Sequence, residues 1–515
     1  MPHGRPIRHL LAAVLVLAAG IVSAAGDPPP LRIVTSFAVR SMNPATEGYW
    51  MQEFGAAELL MKFRRDGEHH PWLLSALDNV DAHTWRLTVR DGVTFQNGRK
   101  LDAEAVLAAI EYQRTHSAAA RSAVPAEARF TATGEYQITV TTDDPWPALP
   151  AVLADEAVFP IFDARTVEAA DGDWASLVGA GIYTGPYEVV GLDAQALTLE
   201  RYPDYWRGEP ALPGVGVRFV TDPTARILAV RNDEADIALY PPMAARPMVE
   251  AAPGVHFNHG TPGTGGFTAY MNVEQTPLRD VRVRKALMKA IDYEQIAQAV
   301  FGGLLDTATG LYAPFFPWAV ENYETDRSEA NALLEAAGWR RTGEWRRRDG
   351  QALELTVLTY PQQPDLVPLA NALQAQLRHV GIRLEIRSVD DIYAGVGEGG
   401  LAWDLALLSG GTAGWGNAGA FLRRYLRPDG HRNFGGYDNG RINRLTDELS
   451  ATVDEVRRHE ILREVQHILV HEDPYVFPLV FSRGRVVVND RYRDYQPGFA
   501  LFHVGWRTQP SGLAQ

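Results

Sequence analysis

The 515-residue chain contains no cysteine, which removes disulfides, thiolate metal ligands and cysteine nucleophiles together. The same absence removes the lipid-bearing cysteine that anchors a bacterial lipoprotein after its leader. Basic charge is also in deficit. The formal net charge is −14, which argues against nucleic acid or an anionic membrane surface as a partner. There is no P-loop and no Gly-x-Ser-x-Gly nucleophile elbow. The apolar run from Leu10 to Ala19 falls well short of the roughly 20 residues that span a bilayer.

That short run is informative in another way. Arg5 and Arg8 precede it, and Val22-Ser23-Ala24 follows with small residues, the pattern of a cleaved secretory signal over residues 1–24. Losing Arg5 and Arg8 takes the net charge from −14 to −16. A secreted chain without a lipid anchor is expected to be free in a Gram-negative periplasm. The mature length of about 490 residues exceeds what one core usually serves, so more than one domain is expected.

Pro28-Pro29-Pro30 breaks the chain before Leu31–Thr35, a β-branched run that reads as the first strand. Strand-like alternation recurs at 85–89, 136–140, 196–199 and 215–220. Helical signals alternate with these. Asp102 caps a helix that opens at Ala103, and 281–300 reads as one amphipathic helix with Val283, Ala286, Leu287, Ala290 and Ala297 on one side. Late in the chain the order is strand 353–358, helix 366–377, strand 382–386 and strand 403–408. The class is therefore α/β, with helices on the faces of a sheet.

Several motifs in order resemble one family. Trp85-Arg86-Leu87-Thr88-Val89-Arg90-Asp91-Gly92-Val93-Thr94-Phe95-Gln96-Asn97-Gly98 reads as strand, turn, short strand and turn, and Asp102-Ala103-Glu104-Ala105-Val106 as a capped helix. Thr184-Gly185-Pro186-Tyr187, Tyr202-Pro203-Asp204-Tyr205-Trp206-Arg207-Gly208 and Glu234-Ala235-Asp236-Ile237 follow. Tyr270-Met271-Asn272-Val273, Pro277 to Leu287, Ala332 to Trp339 and Asp473 to Leu479 continue the series. Over about residues 31–505 the chain resembles the bacterial extracellular solute-binding proteins of family 5, which serve peptide and nickel ABC importers.

The resemblance implies a two-lobed periplasmic binding protein fold, hinged, with an extra subdomain inserted in the first lobe. It places the first lobe at 25–48, 180–258 and 476–515, the insertion at 49–179, and the second lobe at 259–475. It implies a monomer that captures a small solute between the lobes and delivers it to an ABC permease and ATPase complex, without enzymatic activity and without a cofactor of its own. The ligand is then a short peptide, a nickel or other metal chelate, or a related polar solute.

Three loops are implied as ligand contacts: Glu47, Tyr49 and Trp50; Tyr240; and Ser409, Gly410, Gly411, Thr412, Trp415 and Asn417. Peptide-binding relatives carry an aspartate in the third loop, where this chain has Gly414. That departure weakens a peptide ligand, although Glu47 is an alternative carboxylate. His431 falls on or near the place where nickel-binding relatives present a histidine, and imidazole suits nickel or copper. The aromatic residues are expected to stack on a planar ligand or pack beneath the loops.

Other signals carry less. His467 and His471 share a helix face, but no glutamate follows His467, so the His-Glu-x-x-His pattern fails. Gly395 to Gly400 satisfies G-x-G-x-x-G but precedes a strand, whereas a dinucleotide loop follows one. His69-His70 reads as an exposed turn and Arg346-Arg347-Arg348 as a solvated hairpin end. Competing readings are a secreted hydrolase, for which no local motif supplies the catalytic set, and a sensor or chaperone on the same fold.

Overall fold

The computed structural model describes residues 27–361, 363–397, 401–498 and 504–513. The secretory signal expected at 1–24 lies outside the described residues. Among those described, no helix is long and apolar enough to cross a membrane.

Leu31–Thr35 alternates apolar residues at the centre of an 11-stranded sheet. It pairs in parallel with Gly214–Phe219 on one side and Ile237–Leu239 on the other. Ala196–Arg201 and Tyr187–Leu192 complete that half. The other half is built from Leu405–Gly411, Glu354–Thr359 and Arg383–Ser388. Two long antiparallel strands, Val255–Met271 and Val476–Asn489, join the halves. Their register shifts between His259 and Pro262 and again between Pro262 and Gly266. Gly266 is required there, since a Cβ would meet the Val480 carbonyl oxygen at 2.1 Å. Val486 and Val488 belong to one apolar cluster and Val476 to Phe481 to the other, so the same strands feed two cores.

Residues 74–141 carry a separate four-stranded antiparallel sheet, ordered Leu74–Asp81, Thr84–Val89, Gln137–Thr141, Arg129–Gly134. The turns expected at Asp91-Gly92 and Asn97-Gly98 are present, with both glycines in the left-handed region. The short strand between them reduces to one bridge, Thr94 to Lys100. Asp102 caps helix Ala103–His116, its carboxylate accepting from the Ala105 N–H at 2.9 Å.

Two sequence expectations change. The helix read over 281–300 is helix Val281–Ala290, a break, and a new start capped by Asp292, whose side chain accepts from the Gln295 N–H at 2.9 Å. The capping carboxylate competes with helix continuation at that point. Arg346 is not solvated: it is 1% exposed and donates to the Val380 and Trp339 carbonyls and to Asn331. Trp345–Arg348 is a strand, so alternate side chains face opposite ways: Arg346 turns inward and is buried, whereas the middle arginine, Arg347, is exposed.

Charged hubs hold the scaffold. Asp236, fully buried, accepts from the Arg32 backbone N–H, the Arg32 guanidinium, Asn489 and Arg491 at 2.8–3.1 Å. It therefore ties three adjacent strands at one point. Glu58, 3% exposed, accepts from Trp72 and Tyr205 at 2.7 Å and from Trp206 at 3.1 Å. Gly185 packs against the Ala56 carbonyl, leaving 2.4 Å where a Cβ would sit.

Candidate functional site

The loop after the first strand enters helix Pro44–Glu53, where Asn43 caps by accepting from the Ala45 N–H at 3.0 Å. That helix carries Glu47, Tyr49 and Trp50. Trp50 stacks on Phe37 at 5.0 Å, and Phe37 meets Tyr240 edge-on at 5.1 Å. Phe37 is 47% exposed, so an aromatic platform joins two of the expected contact loops and keeps one face in solvent. Tyr240 has φ of +53°, a conformation an L-residue rarely holds without surrounding constraint. Burial pushes the Glu47 carboxyl above its usual range, opposed by a hydrogen bond from the Arg40 backbone.

The third loop continues strand Leu405–Gly411. Gly411 lies opposite Gly265, and a Cβ on it would meet the Thr264 carbonyl at 2.4 Å. The Ser409 N–H donates to the Tyr360 hydroxyl at 3.1 Å, and Thr412 donates to the Leu311 carbonyl at 2.7 Å. Thr412 is buried, so its hydroxyl serves the fold. Asn417 caps the following turn, accepting from the Ala420 N–H at 3.0 Å. Trp415 has φ of +52°, and its carbonyl accepts from His69 Nε2 at 2.7 Å. His69 is thus no free turn residue. Burial lowers its pKa, favouring the neutral ring that donates through Nε2.

A cavity of about 570 Å³ lies between residues 122–157 and residues 411–447. It gathers Gly411, Gly414, Trp415, Asn417 and His431 from the expected set. Glu47, Tyr49, Trp50, Tyr240, Ser409, Gly410 and Thr412 are not on its wall. Gly414 faces open space, with no heavy atom within 4 Å of a Cβ built on it. His431 is exposed, and its pKa is lowered by what burial it has and by Arg432 and Arg424, which leaves a lone pair free near neutral pH.

The same wall carries three arginines outside the expected set, Arg423, Arg424 and Arg427. Arg427 is neutralised by Asp447 and Asp429. Arg423 and Arg424 form no ion pair among the described residues, and Arg423 has one side-chain bond, to Ser450 at 3.1 Å. Across the cavity stands Asp155, raised by burial and held down by the Ala157 N–H and by Arg424. Behind it Glu156 meets Glu53, and each keeps one oxygen closed off from solvent with no donor from another residue. Burial raises both carboxyls, with Glu156 adding to Glu53 and Asp155 adding to Glu156, while Lys62 and a hydrogen bond with Glu53 oppose the rise of Glu156, the behaviour of a pair bridged by one proton.

A family model described as bacterial extracellular solute-binding proteins, family 5, matches residues 68–433. The nickel-binding protein NikA of Staphylococcus aureus is 26% identical over 95% of this chain and 95% of its own length. The oligopeptide-binding protein OppA of Mycobacterium bovis is 26% identical over 62% of this chain and 55% of its own. The crystal structure of S. aureus NikA in complex with Ni(L-His)2 superposes with a TM-score of 0.74 at 24% identity, covering 94% of this chain and all of that one. The architecture is the two-lobed α/β fold of these binding proteins.

Proposed function

Since the chain belongs to the bacterial extracellular solute-binding proteins of family 5, we propose that it captures a small, carboxylate-bearing metal chelate in the 570 Å³ cavity and delivers it to an ABC permease. The observation that carries this reading is the company His431 keeps. An exposed neutral imidazole shares a cavity with Arg423 and Arg424, both without a carboxylate partner among the described residues, while Gly414 on the same wall leaves the space before it open. Imidazole is a good donor to nickel or copper, and planar guanidinium groups match carboxylates. The nickel-histidine complex bound to the S. aureus relative is such a chelate.

The lobes are read as closing about the shifted register near Gly266, with residues 25–48, 180–258 and 476–515 in one, 259–475 in the other and 49–179 inserted. Closure is favoured by a ligand that touches both walls, since only differential contact shifts the equilibrium. The mature protein is read as a periplasmic monomer released from a signal over residues 1–24. Asp155 supports a second reading, a peptide whose ammonium group it would pair.

Calorimetric titration with nickel and L-histidine, beside unmodified dipeptides, separates the two. The chelate is expected to bind and to weaken about tenfold or more in His431→Ala, the loss of one strong contact. Tight binding of dipeptides, with no heat from the nickel complex, refutes the chelate.

A further inference from the structure

A second cavity of about 290 Å³ adjoins the first, and Ser122, Ala123, Asn417 and Arg423 stand on both walls. One side is apolar: Val124, Pro125 and Pro145 to Ala148, with Trp146 among them. The other presents Arg423, Ser450 and Arg458. Arg458 spends Nη1 on the Leu449 and Thr452 carbonyls, at 2.8 and 3.0 Å, at the end of helix Gly440–Ala451. Arg423 spends Nη1 on Ser450. Neither guanidinium bonds through Nε or Nη2, and neither has an ion pair, among the described residues.

This pairing differs from that of several neighbours. Neighbouring Arg427, Arg441 and Arg457 each hold carboxylates, in a chain whose net charge is −14. Burial lowers the Arg458 pKa to about 10, with Arg423 adding to the effect, and lowers Arg423 likewise, with Arg424 adding. Two partly desolvated like charges with unspent donors are unfavourable until an anion meets them. Planar forks take a carboxylate best, and the apolar wall opposite excludes water and suits a ring or alkyl body.

We propose that Arg423 and Arg458 form a subsite for a carboxylate carried on an aromatic or apolar body, with the body lying against Trp146 and its flanking prolines. The site bridges residues 122–148 and 417–458, so its occupant holds the two walls together. It shares Arg423 with the metal-chelate cavity but adds Arg458 and Trp146, and neither His431 nor Arg424 is on its wall.

Benzoate and 3-phenylpropionate are the probes, titrated calorimetrically into the mature chain, with acetate and sulfate as controls. The aromatic carboxylates are expected to bind one to one, and about tenfold more weakly in Arg458→Gln, the loss of one charge-assisted contact. Because Arg458 also closes a helix end, Ser450→Asp gives an independent reading. It supplies an internal carboxylate to Arg423, so benzoate affinity falls while the melting temperature holds or rises. His431→Ala should bind benzoate as the parent does. Equal benzoate binding in Ser450→Asp and the parent overturns the subsite, as does the absence of benzoate heat or acetate and sulfate binding as well as benzoate.

Discussion

Replacing Glu156 by glutamine should flatten the dependence of stability on pH between about 5 and 8. Glu53 is 3% exposed at the end of helix Pro44–Glu53, and its Oε2, like that of Glu156, has no donor from another residue. Both carboxyls are raised first by burial, Glu53 further by Glu156 and Glu156 further by Asp155, and the hydrogen bond between the two holds the proton on one of them. The groups facing them are Lys62, Asp155, Tyr49 and Tyr240. Asp155 and the pair repel, and both tyrosine hydroxyls are raised by burial first and by these carboxylates next. An unfolded glutamate loses its proton near 4.3, whereas the folded pair keeps one to higher pH. Between those values the folded state binds about one proton more than the unfolded state. Stability is therefore fully present below the unfolded pKa and falls as pH rises, with a ceiling of about 1.4 kcal/mol per pH unit.

Lys62 does not mask the effect. Burial lowers its pKa to about 8, so it is protonated in both states below that value and acts only above it. Glutamine at 156 donates to Glu53 without a titrating proton. The variant should match the parent at pH 5 and exceed it by about 2 kcal/mol at pH 7. Urea unfolding followed by circular dichroism at pH 5, 6, 7 and 8 measures both slopes. Parallel slopes for Glu156→Gln and the parent refute the shared proton.

Removing the buried carboxylate in Asp236→Ala leaves Arg32 and Arg491 with only the exposed Asp233 between them, a loss of about 3 kcal/mol in urea unfolding. Asp236→Asn, which keeps an acceptor for the Arg32 N–H, should lose less. Gly414→Asp should fold with an unchanged melting temperature, because its Cβ enters open space. It should also weaken the nickel-histidine complex by about tenfold in calorimetry, because a carboxylate added to the wall that carries Arg424 competes with the ligand's own. An unchanged affinity would place the chelate away from Gly414.

Most of the scaffold is legible because its signals are local. Leu31–Thr35 matches the β-branched run residue for residue, and the Asp102 cap stands where its acidic side chain and following apolar period put it. The motifs of the family resemblance also have structural meaning once folded: Tyr205 and Trp206 meet on Glu58, and Asp236 gathers three strands. Their partners lie 147 and up to 255 positions away, so the residue types were visible and their contacts were not. Arg346 and Asp292 show the limit even for local signals. A run of three arginines reads as solvated until strand alternation turns one toward the carbonyls at a helix end.

The candidate site is legible only in part, because its two walls come from segments some 300 positions apart. Sequence reasoning reached Gly411, Gly414, Trp415, Asn417 and His431, which lie on either side of one short helical stretch, but missed Phe37, Asp155, Arg423 and Arg424 and the contact that His69 makes. A faint signal existed for Arg423 and Arg424, a basic doublet with no acidic residue at helical spacing on either side. His69 had none. Its role depends on Trp415 adopting a left-handed backbone that turns its carbonyl toward residues 61–71, and that conformation, of order 1–3 kcal/mol above relaxed backbone, is offset by the 2.7 Å bond from His69. The loop that faces the cavity is thus held by a contact from a residue 346 positions earlier in the chain.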